Sequence, residues 1–77
     1  MILTDDMRRA ATTRIGQNLR AIRTEKGLSL TQMEMKTGID YCSLKRWELG
    51  YNSPPANVLP CLAHAYGVSL ERFFEGA

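Results

Sequence analysis

The chain has 77 residues, which at about 100–200 residues per domain allows one domain with one small core, and at this size only about 60% of the unfolded surface is buried, leaving little room for an enclosed catalytic cleft. Hydrophobic residues make up 44% of the sequence and charged residues 23%, ordinary globular values that argue against disorder. The net charge is only +2, yet nine of the ten basic residues precede position 47, an asymmetry that permits a polyanionic partner without demanding one.

Glycine punctuates the chain. Gly27, Gly38, Gly50 and Gly67 each follow a segment with helical apolar spacing, and helices commonly end on a left-handed residue that glycine adopts without penalty. No segment alternates with period two, so no strand is expected. The fold class read from this pattern is all-α, a compact bundle of five short helices.

The first helix carries Ile15, Leu19 and Ile22, with Ala11 extending the stripe backwards. Its start is open: Thr12 or Thr13 could cap it, or Thr4 could cap a longer helix through Arg8 and Arg9. Residues 1–11 are accordingly either an N-terminal extension or part of this helix, and residues 12–77 form the domain proper. Gly16 lies inside the helix at a cost of about 1 kcal/mol against alanine, which points to the close approach of another backbone.

The second helix opens on Ser29-Leu30-Thr31-Gln32, a capping box in which Ser29 and Gln32 serve each other's orphan amides. Leu30 and Met33, with Thr37, face the core. Asp40 is the N-cap of the third helix, at the positive end of its dipole. Leu44 and Trp47 form that helix's buried edge, and Cys42, Lys45, Arg46 and Leu49 fall on the opposite face at ~100° per residue. Tyr51-Asn52-Ser53-Pro54-Pro55 is a turn. The fourth helix carries Leu59, Leu62, Ala63 and Tyr66; Asn57 as its N-cap would put Pro60 at N3, where amides are unpaired in any case. A fifth helix starts at Ser69 and holds Leu70, Phe73 and Phe74.

Residues 29–50 therefore read as helix, glycine turn, helix. The turn needs a left-handed residue, Gly38, and an apolar plug in the angle between the helices, Ile39. The second of the two helices, 40–49, buries one edge and leaves a polar, basic face free for a groove.

The runs Ile15-Gly16-Gln17-Asn18-Leu19-Arg20-Ala21-Ile22-Arg23, Lys26-Gly27-Leu28-Ser29-Leu30, Thr37-Gly38-Ile39-Asp40, Trp47-Glu48-Leu49-Gly50 and Tyr66-Gly67-Val68-Ser69-Leu70 together resemble the Cro/phage-repressor (XRE) family over roughly residues 13–75. The resemblance implies a five-helix, lambda-repressor-like domain, a homodimer that binds double-stranded operator DNA and regulates transcription, more often as a repressor. It implies base contacts from Tyr41, Cys42, Ser43, Lys45 and Arg46, and phosphate contacts from Arg20, Ser29, Gln32, Tyr51 and Asn52. Arg23 and Glu48 match a family pair that bridges the first and third helices. Two positions depart from the family pattern: Leu30 stands where many members carry a phosphate-binding glutamine, and Glu34 where many carry alanine. Antitoxin-type and restriction-controller proteins share the fold, and a protein-interaction module that has lost DNA binding is the reading from another class.

Other readings are weaker. Trp47 reads as core, and Arg8 and Arg9 as solvated terminal charges more readily than as a minor-groove arm. Leu70, Phe73 and Phe74 are partly core, with a dimer contact as the further expectation. Cys61 and His64 have a zinc-compatible spacing, but structural zinc wants four ligands, so no metal or cofactor is expected; Cys61 reads as a small core residue and His64 as a surface one. Cys42, in the first turn of a helix, reads first as a small residue in a tight interface and only second as a redox-sensitive thiol. One histidine, with no phosphate loop, nucleophile elbow or paired-carboxylate motif, argues against an enzyme. Asp5-Asp6 after Met1-Ile2-Leu3 argues against a secretory leader, no apolar stretch nears the ~20 residues of a membrane span, and two cysteines do not make a stapled secreted mini-protein. The expected compartment is the cytoplasm, and the short length leaves no room for a sensor domain.

Overall fold

The computed structural model describes residues 4–77; Met1, Ile2 and Leu3, and the leader argument built on them, lie outside the described residues. Four α-helices and a terminal 3-10 segment follow in chain order: α1 (Asp5–Glu25), α2 (Leu30–Thr37), α3 (Tyr41–Glu48), α4 (Leu59–Tyr66) and the 3-10 segment Leu70–Phe74. There is no strand among the described residues.

The open question at the first helix resolves to Thr4, whose Oγ1 accepts from the Met7 amide at 3.1 Å. Asp5 and Asp6 complement the helix dipole in the first turn. Thr12 is not a cap; its hydroxyl donates to the Arg8 carbonyl within the helix. Residues 5–11 are thus the first turns of a 21-residue helix.

Leu19, Ile22, Met33, Leu44, Trp47, Leu62, Ala63, Tyr66 and Phe73 close into one core. Gly16 lies where α1 crosses the end of α3. A Cβ there would overlap the Trp47 carbonyl oxygen and stand 2.9 Å from that of Glu48. The glycine inside the helix is the condition for this approach.

Two expectations about α4 need correction. Its N-cap is Val58, not Asn57, and Pro60 sits at N2 rather than N3. The reason is a preceding turn: the Val58 amide donates to Pro55 O at 3.0 Å and the Leu59 amide to Ala56 O, so Asn57 is already coiled and cannot take the extended cap conformation. Cys61 is exposed rather than core, because the buried stripe runs through Leu62, Ala63 and Tyr66 and Cys61 lies about 100° off Leu62.

The fifth helix is not α-helical. Residues 70–74 form a 3-10 segment, and its terminus is held by α1 instead of by its own next turn. The Asn18 side-chain amide donates to Phe73 O at 2.9 Å and Glu75 O at 2.8 Å, and Arg14 Nε donates to Glu75 O. These donors occupy carbonyls that a continuing α-helix would use. Phe73 is fully buried, edge-on to Tyr66 with ring centroids 6.4 Å apart. It is therefore not a dimer contact, while Leu70 and Phe74 stay exposed.

Burial pushes the Tyr66 phenol from its ordinary 10.0 up to about 12, with the Glu48 carboxylate adding to the effect and Arg23 opposing it. Between those two values the unfolded chain ionises this phenol while the folded chain keeps it neutral, so its stabilising contribution is whole below pH 10 and lost as pH rises toward 12. The loss amounts to about 2–3 kcal/mol. Urea unfolding followed from pH 9 upward should show this decline, and Tyr66→Phe should remove it.

Candidate nucleic-acid interface

The site is built on the α2–α3 pair. Ser29 caps α2 through the expected box: Ser29 Oγ accepts from the Gln32 amide at 3.0 Å, and Gln32 Oε1 accepts from the Ser29 amide at 2.7 Å. Each side chain spends its acceptor on the helix end, and neither donates a hydrogen bond among the described residues. The Ser29 hydroxyl proton and the Gln32 amide protons remain for an acceptor outside the chain.

The turn follows from two residues. Gly38 has φ 76°, the left-handed conformation, and its amide donates to Glu34 O at 2.8 Å. Ile39 packs half-buried against the core as the plug. Its amide donates to Thr37 Oγ1, while the Thr37 hydroxyl donates back to Met33 O.

Asp40 caps α3, with Oδ1 accepting from the Ser43 amide at 3.3 Å. A second carboxylate serves the same helix end. Glu34, read only as a departure from the family pattern, reaches across the turn and accepts from the Tyr41 amide at 2.9 Å. Two α3 amides are thereby satisfied by carboxylates, and the start of this helix is not an anion site. A glutamate four residues before the turn glycine could have signalled this bond.

One edge of α3 is locked. Leu44 and Trp47 are buried, and Glu48 forms a two-point bridge with Arg23: Nε to Oε2 at 2.7 Å and Nη2 to Oε1 at 2.9 Å. Arg23 Nη1 also donates to Leu28 O at 2.8 Å, which ties the α1–α2 connection to α3. The bridge holds the guanidinium pKa above its ordinary value against the opposing effect of burial.

The opposite edge is free. Cys42, Lys45 and Arg46 are exposed, Tyr41 and Leu49 are partly to largely exposed, and Ser43 is half-buried at the margin. Lys45 Nζ lies 6.0 Å from the Tyr41 ring centroid, one helical turn away, a cation–π arrangement. Among the described residues neither Lys45 nor Arg46 forms a salt bridge. Lys45 shares a shallow groove of about 200 Å³ with Arg20, Leu30 and Leu49 above the Arg23–Glu48 bridge. The groove is lined from three elements, Arg20 on α1, Leu30 on α2 and Lys45 on α3, with Leu49 just after α3. Tyr51 and Asn52 are exposed in the loop after α3, and the Tyr51 amide donates to Arg46 O.

Among the described residues no group of three metal-ligating side chains converges, and no helix is long and apolar enough to cross a membrane. Two short helices crossing at a left-handed turn, with the second helix fixed by one edge and bare on the other, define a helix-turn-helix domain. A family model described as a helix-turn-helix domain matches residues 16–77. The chain belongs to that family, which is of the XRE type. No curated protein matches the chain.

Proposed function

We propose that this chain is a sequence-specific DNA-binding regulator of transcription of the Cro/C1 type, a cytoplasmic homodimeric repressor without catalytic activity. One observation carries the reading: α3 is fixed to the core by the Arg23–Glu48 bridge and Trp47, while Lys45 and Arg46 on its other edge have no partner in an ion pair among the described residues. In this reading the helix 40–49 enters the major groove. Arg46 and Lys45 donate to guanine O6 and N7, the commonest specific contact. Tyr41, Cys42 and Ser43 meet base edges or thymine methyls from the first turn. Arg20 and the unspent donors of Ser29 and Gln32 meet phosphates on one side, and Tyr51 and Asn52 on the other. The exposed Leu70 and Phe74 offer apolar surface to a twin, and two copies read half-sites about 34–36 Å apart.

Fluorescence anisotropy with a random-sequence duplex tests the reading. A dimer neutralising six or more phosphates should lose affinity about 10³-fold between 50 and 200 mM salt. Arg46→Ala should then abolish the preference for a selected operator while leaving the non-specific component largely in place. Absence of binding at the lowest salt would sink the regulator reading and point to a protein partner.

A further inference from the structure

A second, larger groove lies outside the helix-turn-helix. It encloses about 710 Å³ between the N-terminal half of α1 and the loop that follows α3. One wall is a single stripe of α1, Asp5, Arg8, Arg9, Thr12 and Thr13, at the three- and four-residue spacings that share a helix face. The other wall is the segment from Leu49 to Ser53. The two walls are joined at the inner end. Ser53 Oγ donates to Thr12 Oγ1 at 3.2 Å, and a Cβ on Gly50 would stand 3.3 Å from Thr13 Cα. The height of Arg8 and Arg9 above the loop is thereby set by packing.

The charge in this groove is one-sided. Between Arg46 and Arg72 the sequence holds no lysine or arginine, so the loop supplies no cation of its own. The cations come from α1, as Arg8 and Arg9, against the single carboxylate of Asp5. Among the described residues neither arginine forms a salt bridge. The groove is open to solvent and starts at Leu49 and Tyr51, directly beyond the last turn of α3.

We infer that this groove seats the sugar–phosphate backbone of the DNA flanking the segment read by α3, with Arg8 and Arg9 as its phosphate ligands. The inference rests on the DNA-binding reading above and extends it to a part of α1 that lies before the matched family segment. Guanidinium groups suit the role because they present paired donors to phosphate oxygens. Tyr51 and Asn52 serve as the uncharged wall that positions the strand, and the long α1 acts as a second clamp on the duplex rather than as a solvated end.

The test is the double variant Arg8→Gln/Arg9→Gln in the full chain, with Arg8→Lys/Arg9→Lys beside it. Both positions are exposed, so thermal melts should match the parent. The glutamine variant should bind all sequences more weakly. Its log affinity against log salt should be shallower by about 1.8 per bound subunit, about 3.6 for the dimer, at about 0.9 per phosphate, and its hydroxyl-radical footprint should shorten on the flanks. The lysine variant should keep the parental slope. If the glutamine variant keeps the parental slope and footprint while the parent binds DNA with a steep slope, the groove assignment is overturned and the DNA reading stands. If the parent itself fails to bind at low salt, the DNA reading fails and takes the assignment with it.

Discussion

Glu48→Ala is expected to destabilise the fold by up to about 3–5 kcal/mol, the upper figure being the cost of leaving one member of a buried pair without its partner and the Arg23–Glu48 pair being partly buried. The side chains of Arg23 and Glu48 are only 15% and 7% exposed. Alanine removes both carboxylate acceptors of the guanidinium and leaves it bonded only to Leu28 O. Arginine stays charged under all ordinary conditions, so it cannot escape the burial by losing its proton. A chain of 77 residues has a stability of about 4–12 kcal/mol at about 0.05–0.15 per residue, so the loss takes much of the whole. Urea unfolding at pH 7 is the measurement. A double variant that replaces the pair by apolar residues of similar volume, Arg23→Met with Glu48→Leu, should recover most of the loss, because buried ion pairs contribute little net stability over well-packed apolar groups. A single variant costing under 1 kcal/mol would show that water reaches the pair.

Phe73→Ala is expected to cost about 3–5 kcal/mol, the usual range for truncating a buried aromatic ring. Phe73 is fully buried and packs edge-on to Tyr66. It is also the only fully buried residue of the 3-10 segment, so it pins that segment to the core. A chain in which Phe73 served a dimer would instead dissociate with its fold intact. Phe74→Ala provides the contrast: at 45% exposure it should leave the unfolding midpoint nearly unchanged, and any effect should appear in the concentration dependence of association. Near-equal losses in the two variants would contradict the burial pattern.

Much of the fold was legible because its signals are local. A capping box, an aspartate cap and a left-handed glycine act within four residues of chain, and Ser29, Asp40 and Gly38 do what the spacing implies. The buried edge of α3 was legible for the same reason, since Leu44 and Trp47 sit one turn apart. Even Gly16 carried a message, because a glycine inside a helix is costly unless something needs the space. The free face of Lys45 and Arg46 was legible as the complement of that edge.

The remainder depended on what arrives from elsewhere. Thr4 and Thr12 are equally good caps in isolation, and the sequence around them does not rank them. Asn57 is a better intrinsic cap than Val58, but the Pro55–Val58 turn had already coiled the chain. The last segment looks helical by periodicity, yet Asn18 and Arg14, 55 and 61 residues away from their acceptors, take its carbonyls. Glu34 read only as a departure from the family pattern, and the fold of the chain across the turn puts its carboxylate on the Tyr41 amide.

The sequence by itself determined the helical class, the helix-turn-helix at its centre, and the residues that face outward from α3. These follow from hydrogen bonds and apolar spacing whose range is one or two helical turns. The tertiary structure decided where α1 and α4 begin, that the chain ends in a 3-10 segment, that Phe73 belongs to the core, and that Arg8 and Arg9 face the Tyr51–Asn52 loop. Those outcomes turn on contacts between elements distant in sequence. Only the packing of one backbone against another, as at Gly16 and Gly50, determines which side chains meet.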